Sequence, residues 1–561
     1  MNNITGAMPK IFGMFGVKTN DLLAGLLVVL VSILVYANSL GNGFVWDDTN
    51  VIVTNPALQG SPVALFSSID TTRDYELLPY YRPLAMLTFL LEERVHGLIP
   101  WPMHFINVLL HAANAFLVFL LARTVLADTR GALLAGLLFA VHPINTEAVD
   151  FISTRNTILA CFFILTAYLM HRRSIMQKNS IGAFAAAVFL LAGFFSKESA
   201  LVALPFIIAL EVPSLRDRVS GSRSRAALRL LPYAVAVSCY LVMRWLTLSR
   251  LGIQTGMVPG FGSQQLQSMY KFPDLWTRLA DNLYSIPRYL LSLIGPIALS
   301  PRYVIPENLR PLALPLVSAW ICISAIVGWL LTKGRSRATL FGLLWFAAFY
   351  LPVSGIALFP SSPMADRYLY VPAIGLWFVA ADQATRFFPS GARVRRYGVV
   401  AVTTVLLVLS VLTIRRNLDW KNDVTLFVRL VEQYPDNAFG HAGLGEAYFM
   451  RNRQDAGELK LAEQEFEKSL ALNPLIQGVH TKMGYIRLAR GDSEGAVQSY
   501  TLALGIHPSD KEARLNRGIA LENIGRQKEA LNDFKLFLAT PGYELADARP
   551  YAEGRIRELS K

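Results

Sequence analysis

Long apolar runs fill most of this chain, and they constrain its fold more than any other feature. Of its 561 residues, 53% are apolar, and the mean hydropathy is +0.38. The runs are roughly 15 to 24 residues long, and about 20 helical residues cross the hydrocarbon core of a bilayer. From residue 438 onwards the sequence is charged and compatible with water. The fold class predicted is therefore all-α, with a polytopic membrane helix bundle followed by a small soluble helical domain.

The apolar runs predict eleven membrane crossings. The predicted spans are residues 22–40, 103–126, 131–149, 153–171, 182–196, 199–212, 228–248, 313–332, 338–356, 368–388 and 396–414. The apolar stretch 281–300 contains Pro287, Arg288 and Pro296, so we expect it to be re-entrant or interfacial. This count places the N-terminus in the cytoplasm and the C-terminus outside. The predicted divisions are a cytoplasmic segment 1–20, a membrane domain 21–416, a linker 417–437 and a repeat domain 438–561.

The formal net charge of +13 does not indicate a nucleic-acid partner, because the basic residues lie in short loops between predicted spans. Every second loop carries this charge, and the positive-inside rule assigns such loops to the cytoplasm. The clusters are Arg172, Arg173 and Lys178; Arg216, Arg218, Arg223, Arg225 and Arg229; Lys333, Arg335 and Arg337; and Arg386, Arg393, Arg395 and Arg396. The opposite loops, including the long loop 41–102, are then external. The three cysteines lie within apolar spans, so no disulfide framework is predicted.

Two adjacent carboxylates, Asp47 and Asp48, follow the first span by only a few residues. Acidic residues near hydrocarbon are costly and tend to be kept there for function. A carboxylate beside an acceptor hydroxyl acts as a general base, and a second one orients the acceptor or coordinates a cation. The alternative is a turn or helix cap, since Asp-Asp-Thr-Asn is also good capping chemistry. We predict that Asp47 and Asp48 are catalytic.

Basic residues also stand at the external edge of the predicted spans, against the usual bias in orientation. Fixed cations there hold a phosphate or pyrophosphate by charge-assisted hydrogen bonds. The alternatives are interfacial snorkelling, or ion pairs with Asp150, Glu198 or Asp366. Four cations on one face favour an anion site. The predicted phosphate contacts are Arg82, Lys197 and Arg367, with Arg155 and Glu198 as supporting residues.

Histidines mark two further positions. The second span carries His104, Asn107, His111 and Asn114 on one helix face. Metal ligation by His104 and His111, two turns apart, is less favoured than hydrogen bonding between helices. His142 precedes Pro143 at the end of a span, where it orients a substrate, carries a proton or makes a helix-end hydrogen bond. We predict no metal site, although a divalent cation is left open as a cofactor.

The tail contains a repeated pattern of small, small, aromatic and proline residues. Its copies are Gly445, Ala462, Phe466 and Pro474; Gly484, Ala496, Tyr500 and Pro508; and Gly518, Ala530, Phe534 and Pro541. The last two copies are 34 residues apart or nearly so, which resembles the tetratricopeptide repeat, a helix–turn–helix unit. Phe537 stands where the pattern expects a small residue, so we expect a cap or contact with a terminal helix. Three such repeats bind a peptide on a concave face or act as a spacer.

Seven short motifs, in this order, resemble a known family. They are Phe44–Asp48, Tyr81–Leu84, His104–His111, His142–Val149, Ser196–Glu198, Ala365–Tyr370 and Asn417–Lys421. Followed by the repeats, they resemble the transmembrane and tetratricopeptide-repeat-containing O-mannosyltransferases of the GT-C glycosyltransferase superfamily. Nearly the whole chain takes part in the resemblance. One departure is Asn145, where the family often has a second histidine.

The resemblance implies a GT-C helix bundle whose first external loop carries the acidic pair. The implied donor is a polyprenyl-phosphate sugar and the implied acceptor a Ser or Thr hydroxyl. Asp47 and Asp48 then become the base and its partner, and Arg82, Lys197 and Arg367 become phosphate contacts. The short loops suggest a bacterial member in the inner membrane, with an undecaprenyl-phosphate donor and a periplasmic active site.

The combined prediction is an inverting membrane glycosyltransferase whose partners are a lipid-linked sugar, membrane lipid and a protein acceptor bound by the repeats. The sequence contains no His-Glu-x-x-His run, no phosphate-binding Gly-rich loop and no nucleophile elbow. A hydrolase and a nucleotide-driven pump are therefore disfavoured. One alternative is the same chemistry on a glycolipid acceptor. Another is a membrane scaffold that uses its repeats to bind partners without catalysis. A transporter is disfavoured, since matched halves and paired broken helices are absent from the sequence.

Overall fold

The computed structural model describes residues 19–67, 80–216, 221–250, 275–305, 313–356, 364–387, 392–476, 478–540 and 545–560. The secondary structure of these ranges is helical, without strands, and the prediction of an all-α polytopic bundle is confirmed. Two compact units divide the chain, Met1–Asn422 and Asp423–Lys561. The predicted N-terminal segment 1–20 lies outside the described residues, except for its last two positions.

The first unit is built from helices α1 to α14. Their bounds are α1 Thr19–Tyr36, α2 Pro83–His96, α3 Pro100–Leu126, α4 Thr129–Val141, α5 Thr146–Asp150, α6 Arg155–Gln177, α7 Ser180–Ser196, α8 Ala203–Arg216, α9 Ser222–Arg250, α10 Leu275–Ile294, α11 Ala313–Thr332, α12 Arg337–Tyr350, α13 Ala373–Phe387 and α14 Ala392–Asn417. Helix α3 lies at the centre of this unit, packed against α1, α4 and α6. Short 3-10 turns join several of these helices, and most of the candidate site residues lie in those joints.

Seven helices in the described ranges are long and apolar enough to cross a membrane. They are Asp21–Gly41, Pro100–Leu126, Ile152–Gln177, Glu198–Arg216, Ser222–Arg250, Ala313–Thr332 and Arg396–Trp420. The protein is therefore a multi-pass membrane protein, but the predicted eleven crossings exceed this number. The predicted spans 182–196, 338–356 and 368–388 correspond to α7, α12 and α13, which have 17, 14 and 15 residues. A helix of 17 residues is about 26 Å long, shorter than the roughly 30 Å hydrocarbon core.

The predicted span 131–149 is a broken helix rather than a straight one. Helix α4 ends at Val141, and the chain bends by 51° before the segment Pro143–Asp150. The residue before a proline is disfavoured in the α region, so His142 ends the helix. The break places Glu147, on α5, in a joint between long helices.

Helix α10 covers most of the stretch 281–300, for which we expect a re-entrant or interfacial position. It exposes Trp276, Leu283 and Ile294 and buries Asn282 and Tyr289, so its polar side faces the protein. This distribution suits a helix whose outer side meets apolar surroundings. It is not among the helices that qualify as crossings in the described part of the chain.

The second unit contains three helical hairpins. Its helices are α15 Asp423–Gln433, α16 Ala438–Arg451, α17 Ala456–Leu472, α18 Val479–Ala489, α19 Ser493–Ile506, α20 Lys511–Asn523, α21 Gln527–Ala539 and α22 Arg549–Leu559. The hairpins pair α16 with α17, α18 with α19, and α20 with α21. Each repeat glycine lies against the aromatic ring of its own repeat. A Cβ atom added at Gly445 would lie 2.6 Å from Phe466, one at Gly484 would lie 2.6 Å from Tyr500, and one at Gly518 would lie 2.8 Å from Phe534. The recurring glycines therefore permit the close approach of each helix pair, and the tetratricopeptide class stays a prediction.

Both ends of this array differ from the hairpins. Phe537 is fully buried and shares a core with Ala552 of α22, so it packs against a terminal helix. The predicted linker 417–437 is largely helical, since it contains the end of α14, a 3-10 turn and α15. Helix α15 buries Leu426, Phe427 and Leu430 on one face and packs against α16. The boundary between the two units therefore lies at Asn422, before α15.

Candidate active site

Asp48 is an anchored carboxylate. Its Oδ1 accepts a hydrogen bond from the Ser153 N–H at 2.7 Å, and its Oδ2 accepts one from the Val45 N–H at 3.1 Å. Burial raises the pKa of Asp48 to about 7, against the hydrogen bonds from Ser153 and Val45, which lower it. Oδ1 thus fastens the first loop to the turn before α6, and Oδ2 closes a turn within the loop itself. Of the alternatives considered for the acidic pair, the turn describes the contact with Val45, whereas the Asp48 side chain makes no capping hydrogen bond to the short helix Thr49–Val53.

Asp47 occupies a different environment from its neighbour, because its side chain is only partly buried. Its backbone carbonyl accepts the N–H groups of Asn50 and Val51 at 3.0 and 2.8 Å. Burial disfavours the charged form of Arg367, but Glu147 and, more weakly, Asp47 outweigh it and raise the pKa of that guanidinium. Asp47 therefore lies near enough to Arg367 for its charge to act on that guanidinium.

Arg367 is held by Glu147 through two contacts. The Arg367 backbone N–H donates to Glu147 Oε2 at 2.8 Å, and its guanidinium pairs with Glu147 Oε1. The Glu147 side chain is fully buried, and that of Arg367 is 13% exposed. Asp366 pairs with Arg416 rather than with Arg367, since the Arg416 Nη2 lies 3.6 Å from Asp366 Oδ2, and the Tyr303 hydroxyl donates to Asp366 Oδ1 at 2.5 Å.

Arg82 forms an ion pair with Glu198, which is one of the alternatives that the sequence left open. Arg82 Nε and Nη2 donate to the two Glu198 oxygens at 3.1 and 2.7 Å, in a bidentate arrangement. The guanidinium carbon of Arg82 also lies 3.9 Å from the centre of the Tyr80 ring. Both charged side chains keep some exposure, 12% for Arg82 and 15% for Glu198. The pair is thus oriented by protein and still open to a ligand.

Lys197 is the cation with the least charge compensation at the site. Its Nζ donates to the Thr157 hydroxyl at 2.8 Å, and within the described residues no carboxylate forms an ion pair with it. The pKa of Lys197 is lowered to about 7, chiefly by burial and also by the positive charges of Arg82 and Arg367, against the opposing charges of Glu198 and Glu147. Arg82, Lys197 and Arg367 therefore lie close enough to act on one another. The structure brings the three predicted phosphate contacts together, beside Asp47.

Arg155 stands apart from this group. Its Nε donates to Asn107 Oδ1 at 2.6 Å, and its two terminal nitrogens donate to Thr88, to the Glu92 carboxylate and to the Met103 carbonyl. The side chain has no exposure. Its pairing with Glu92, rather than Asp150, ties α6 to α2 and α3. These contacts give Arg155 a structural role, and its supporting role at the site stays a prediction.

The histidines of α3 make hydrogen bonds between elements. His111 Nδ1 lies 2.8 Å from the Tyr370 hydroxyl, and its Nε2 lies 3.3 Å from the Ala140 carbonyl. His104 Nε2 lies 3.3 Å from the Gly43 carbonyl, in the loop that leads to Asp47. Both side chains are buried. The geometry therefore agrees with the interhelical role favoured from the spacing.

His142 caps the turn that follows α4. Its Nδ1 accepts the Ile144 N–H at 3.1 Å, and its Nε2 lies 3.1 Å from the Leu293 carbonyl of α10. The ring is buried and packs against Trp377 at 4.8 Å between centroids. Of the roles considered for His142, the structure displays the helix-end hydrogen bond.

Sequence reasoning did not assign a role to Glu147, the partner of Arg367. The signal available was its position in the motif His142–Val149, but the identity of its partner depends on packing. In the described part of the chain, His, Cys, Asp and Glu side chains form no group of three able to hold a metal ion. No described residue is therefore assigned to the divalent cation that the sequence left open.

Comparisons with known proteins bear on this site. Residues 83–247 match the protein family described as dolichyl-phosphate-mannose-protein mannosyltransferase. The chain is similar to protein O-mannosyl-transferases. The matched region begins at Pro83, directly after Arg82. It contains Glu147 and Lys197 but not the acidic pair Asp47 and Asp48.

Three relatives show the extent of the similarity. Protein O-mannosyl-transferase TMTC3 of Homo sapiens is 26% identical over 519 residues, which cover 86% of this chain and 55% of the human one. Protein O-mannosyl-transferase Tmtc1 of Drosophila melanogaster is 25% identical, with 77% of this chain and 60% of the fly protein covered. Tmtc2 of the same species is 32% identical over 283 residues, which are 48% of this chain and 29% of the relative. The chain thus spans little more than half the length of the first two relatives.

Proposed function

We propose that this chain is an inverting membrane glycosyltransferase. It moves a sugar from a polyprenyl-phosphate donor to a Ser or Thr hydroxyl of a protein acceptor. The observation that carries the proposal is the position of Asp47 beside the mutually interacting cations Arg82, Lys197 and Arg367. Similarity to proteins named protein O-mannosyl-transferases supports mannose or a related hexose as the sugar and protein as the acceptor.

The three cations bind the donor phosphate. Glu198 and Glu147 hold the guanidinium groups of Arg82 and Arg367 in place, so the forks are oriented before a ligand arrives. Arginine forks bind phosphate oxygens bidentately, whereas lysine contributes a point charge. Lys197, whose partner among the described residues is the Thr157 hydroxyl, gains the most from an incoming phosphate.

Asp47 removes the acceptor proton. As the hydroxyl oxygen forms its bond to the anomeric carbon, the bond from that carbon to the phosphate oxygen breaks, and the electron pair leaves with the lipid phosphate. The cations stabilise the charge that develops on the phosphate. Asp48 supports the reaction indirectly, because its two oxygens are occupied by Ser153 and Val45 and keep the loop in position.

The proposed location is the inner membrane of a bacterium, with the site and the repeat domain on the periplasmic side. The clustering of basic residues in alternate loops supports that orientation. The donor is then an undecaprenyl-phosphate sugar. The repeat unit presents the acceptor, and it has an open cavity of about 570 Å³ lined by His441, Glu465 and Lys468 among others.

The test uses the full-length protein in lipid nanodiscs with undecaprenyl-phosphate mannose and a Ser/Thr-rich acceptor peptide. Mass spectrometry of the peptide should show an added hexose with the wild-type protein and not with Asp47→Asn. A matched control, Asp436→Asn, removes an exposed carboxylate in the second unit and should retain transfer. Full transfer by a folded Asp47→Asn variant would refute the proposal.

The same assay separates the alternatives. A sugar found on added glycolipid instead of the peptide would support transfer to a glycolipid. If the folded protein transfers nothing to either acceptor, while its second unit still binds a partner, the scaffold alternative gains.

A further inference from the structure

The motif Asn417–Lys421, which the proposed reaction does not use, lies at the end of α14 and in the 3-10 turn Leu418–Trp420. It directly precedes the boundary between the two units at Asn422. Asn417 and Trp420 are fully buried. Buried polar groups in native proteins nearly always have hydrogen-bond partners, and those partners show what the motif holds in place.

Hydrogen bonds fasten this motif to the end of the first span and to the loop that carries the proposed base. The Asn417 Nδ2 donates to Asn38 Oδ1 at 2.7 Å, and the Asn417 carbonyl accepts a hydrogen bond from the Asn42 Nδ2 at 2.9 Å. The Gly43 N–H donates to the Lys421 carbonyl at 2.9 Å. The motif therefore fixes the start of the loop in which the base lies.

Aromatic stacking extends this connection to the residue before the base. The ring of Trp420 stacks on Phe151 at 5.5 Å between centroids and 24° between planes, and Phe151 stacks on Trp46 at 5.4 Å and 3°. The φ of Trp46 is +52°, in the left-handed region that bulky residues rarely adopt. Such a conformation persists only where the surrounding structure enforces it. The motif thus supports a strained backbone directly beside Asp47.

The residue before the motif contacts the other half of the site. The Arg416 Nη2 lies 3.6 Å from Asp366 Oδ2, and its Nη1 donates to Asp419 Oδ2, within the motif, at 2.9 Å. Asp366 directly precedes Arg367 in one 3-10 turn. A single short segment therefore contacts both the loop of the proposed base and the turn that carries a proposed phosphate contact.

We propose that the segment Arg416–Lys421 positions the two halves of the site and sets the distance between the base Asp47 and the phosphate contact Arg367. In the proposed reaction, the anomeric carbon lies between the acceptor hydroxyl and the phosphate, so the two halves must keep a fixed separation. A displacement of about 1 Å, even from a change far from the chemistry, can cost about 100-fold in rate. This role rests on the proposed function and assigns positioning residues to that same site.

Substitutions on the two sides of the segment should give different kinetics. Asn417→Ala loosens the loop of the base, so it should lower kcat about tenfold or more while the donor KM stays within about twofold. Arg416→Gln removes the ion pair with Asp366, so it should raise the donor KM about threefold or more. A control, Gln383→Ala, removes a carboxamide that donates to the Gly334 carbonyl near the C-terminal end of α13, and it should change neither constant. A purely structural role would reduce the amount of folded protein and leave the kcat of that protein unchanged.

Further variants keep the test decisive if Asn417→Ala does not fold. Asn42→Ala removes one of the same contacts from the loop side, and it should also lower kcat about tenfold. Trp420→Leu removes the ring that stacks on Phe151 and should act in the same way. Trp420→Phe retains a stacking ring and should stay within about threefold of wild type.

Hydrogen exchange gives a readout that does not require transfer. The N–H groups of Asn50 and Val51 donate to the Asp47 carbonyl, so their exchange reports whether the loop of the base is held. Exchange at these two positions should accelerate in Asn417→Ala and stay at the wild-type rate in Gln383→Ala.

The outcomes separate this inference from the proposed function. If Asp47→Asn is inactive while the folded Asn417→Ala and Asn42→Ala variants both keep the wild-type kcat, the positioning role is refuted and the enzyme proposal stands. Equal losses of kcat in Asn417→Ala and Gln383→Ala also refute the positioning role. Full transfer by Asp47→Asn refutes the enzyme proposal, and unchanged exchange in Asn417→Ala then refutes the positioning role as well.

Discussion

Glu147 binds Arg367 twice, through the backbone N–H and through the guanidinium. The two residues are 220 positions apart in the sequence, and their contact joins α5 to the turn before α13. Because Glu147 is fully buried, it fixes both the position of the turn and the direction of the guanidinium. The contact therefore links the stability of the helix bundle to the geometry of the proposed phosphate site.

We expect Glu147→Ala to destabilise the protein by about 3–5 kcal/mol, because it leaves the charge of Arg367 largely buried without its partner. Unfolding in detergent, followed by circular dichroism, measures this change. The double variant Glu147→Ala, Arg367→Ala should lose less than the sum of the two single changes. Additive losses would show that the two side chains do not interact.

Lys197 should make binding of the donor depend on pH. Its pKa is lowered to about 7, mainly by burial, so the unliganded ammonium loses its proton as the pH rises above 7. The charged form binds phosphate, and the donor Kd should therefore rise by up to tenfold per pH unit between pH 7 and pH 9. Lys197→Arg keeps its charge over this range and should flatten the profile. An equally steep profile in that variant would assign the titration to another group.

The two aspartates should separate activity from stability. Asp47→Asn should abolish transfer with little change in unfolding free energy, since its side chain is only partly buried. Asp48→Ala leaves the Ser153 and Val45 N–H groups without their acceptors, at a cost of about 1–3 kcal/mol for each buried unsatisfied group. The unfolding midpoint and the single-turnover rate, measured on both variants, check the assignment. The reverse pattern would make Asp48 the base.

Asp48 should also leave a signature in the dependence of stability on pH. Its pKa is raised from its usual value of 3.8 to about 7, chiefly by burial, so between these pH values the folded state binds more protons than the unfolded state. Its contribution to stability is fully present below about pH 4 and is lost as the pH rises to about 7. The slope reaches at most about 1.4 kcal/mol per pH unit. The difference between wild type and Asp48→Asn, measured from pH 4 to 8, isolates this contribution, and a constant difference would contradict it.

Arg155 and Arg82 should respond differently to the same substitution. Arg155→Lys loses the fork that binds Glu92 and Asn107, so we expect a loss of about 1–3 kcal/mol in stability and an unchanged donor KM in the folded protein. Arg82→Lys should raise the donor KM with a smaller effect on stability. A raised KM in Arg155→Lys, with folding intact, would assign Arg155 to the phosphate site.

Several features of this protein could be predicted because they depend only on the local sequence. The apolar runs specify helices, the period of the tail specifies hairpins, and the residue types of Asp47, Arg82, Lys197 and Arg367 specify acid and anion-binding chemistry. A local pattern is sufficient for these inferences because helix formation and side-chain charge do not depend on distant partners. The number of crossings stays a prediction, since α7 and α12 are apolar but shorter than the seven helices that qualify as crossings in the described ranges.

Only the tertiary structure decided which groups meet. It paired Arg367 with Glu147 and Arg155 with Glu92, buried Asp48 while leaving Asp47 partly open, and set Trp46 in a left-handed conformation upon Phe151. Neighbouring residues of one type thereby acquire different chemistry. The partners come from segments 63 to 220 residues away, and an amino-acid sequence states composition without stating which distant segments pack together.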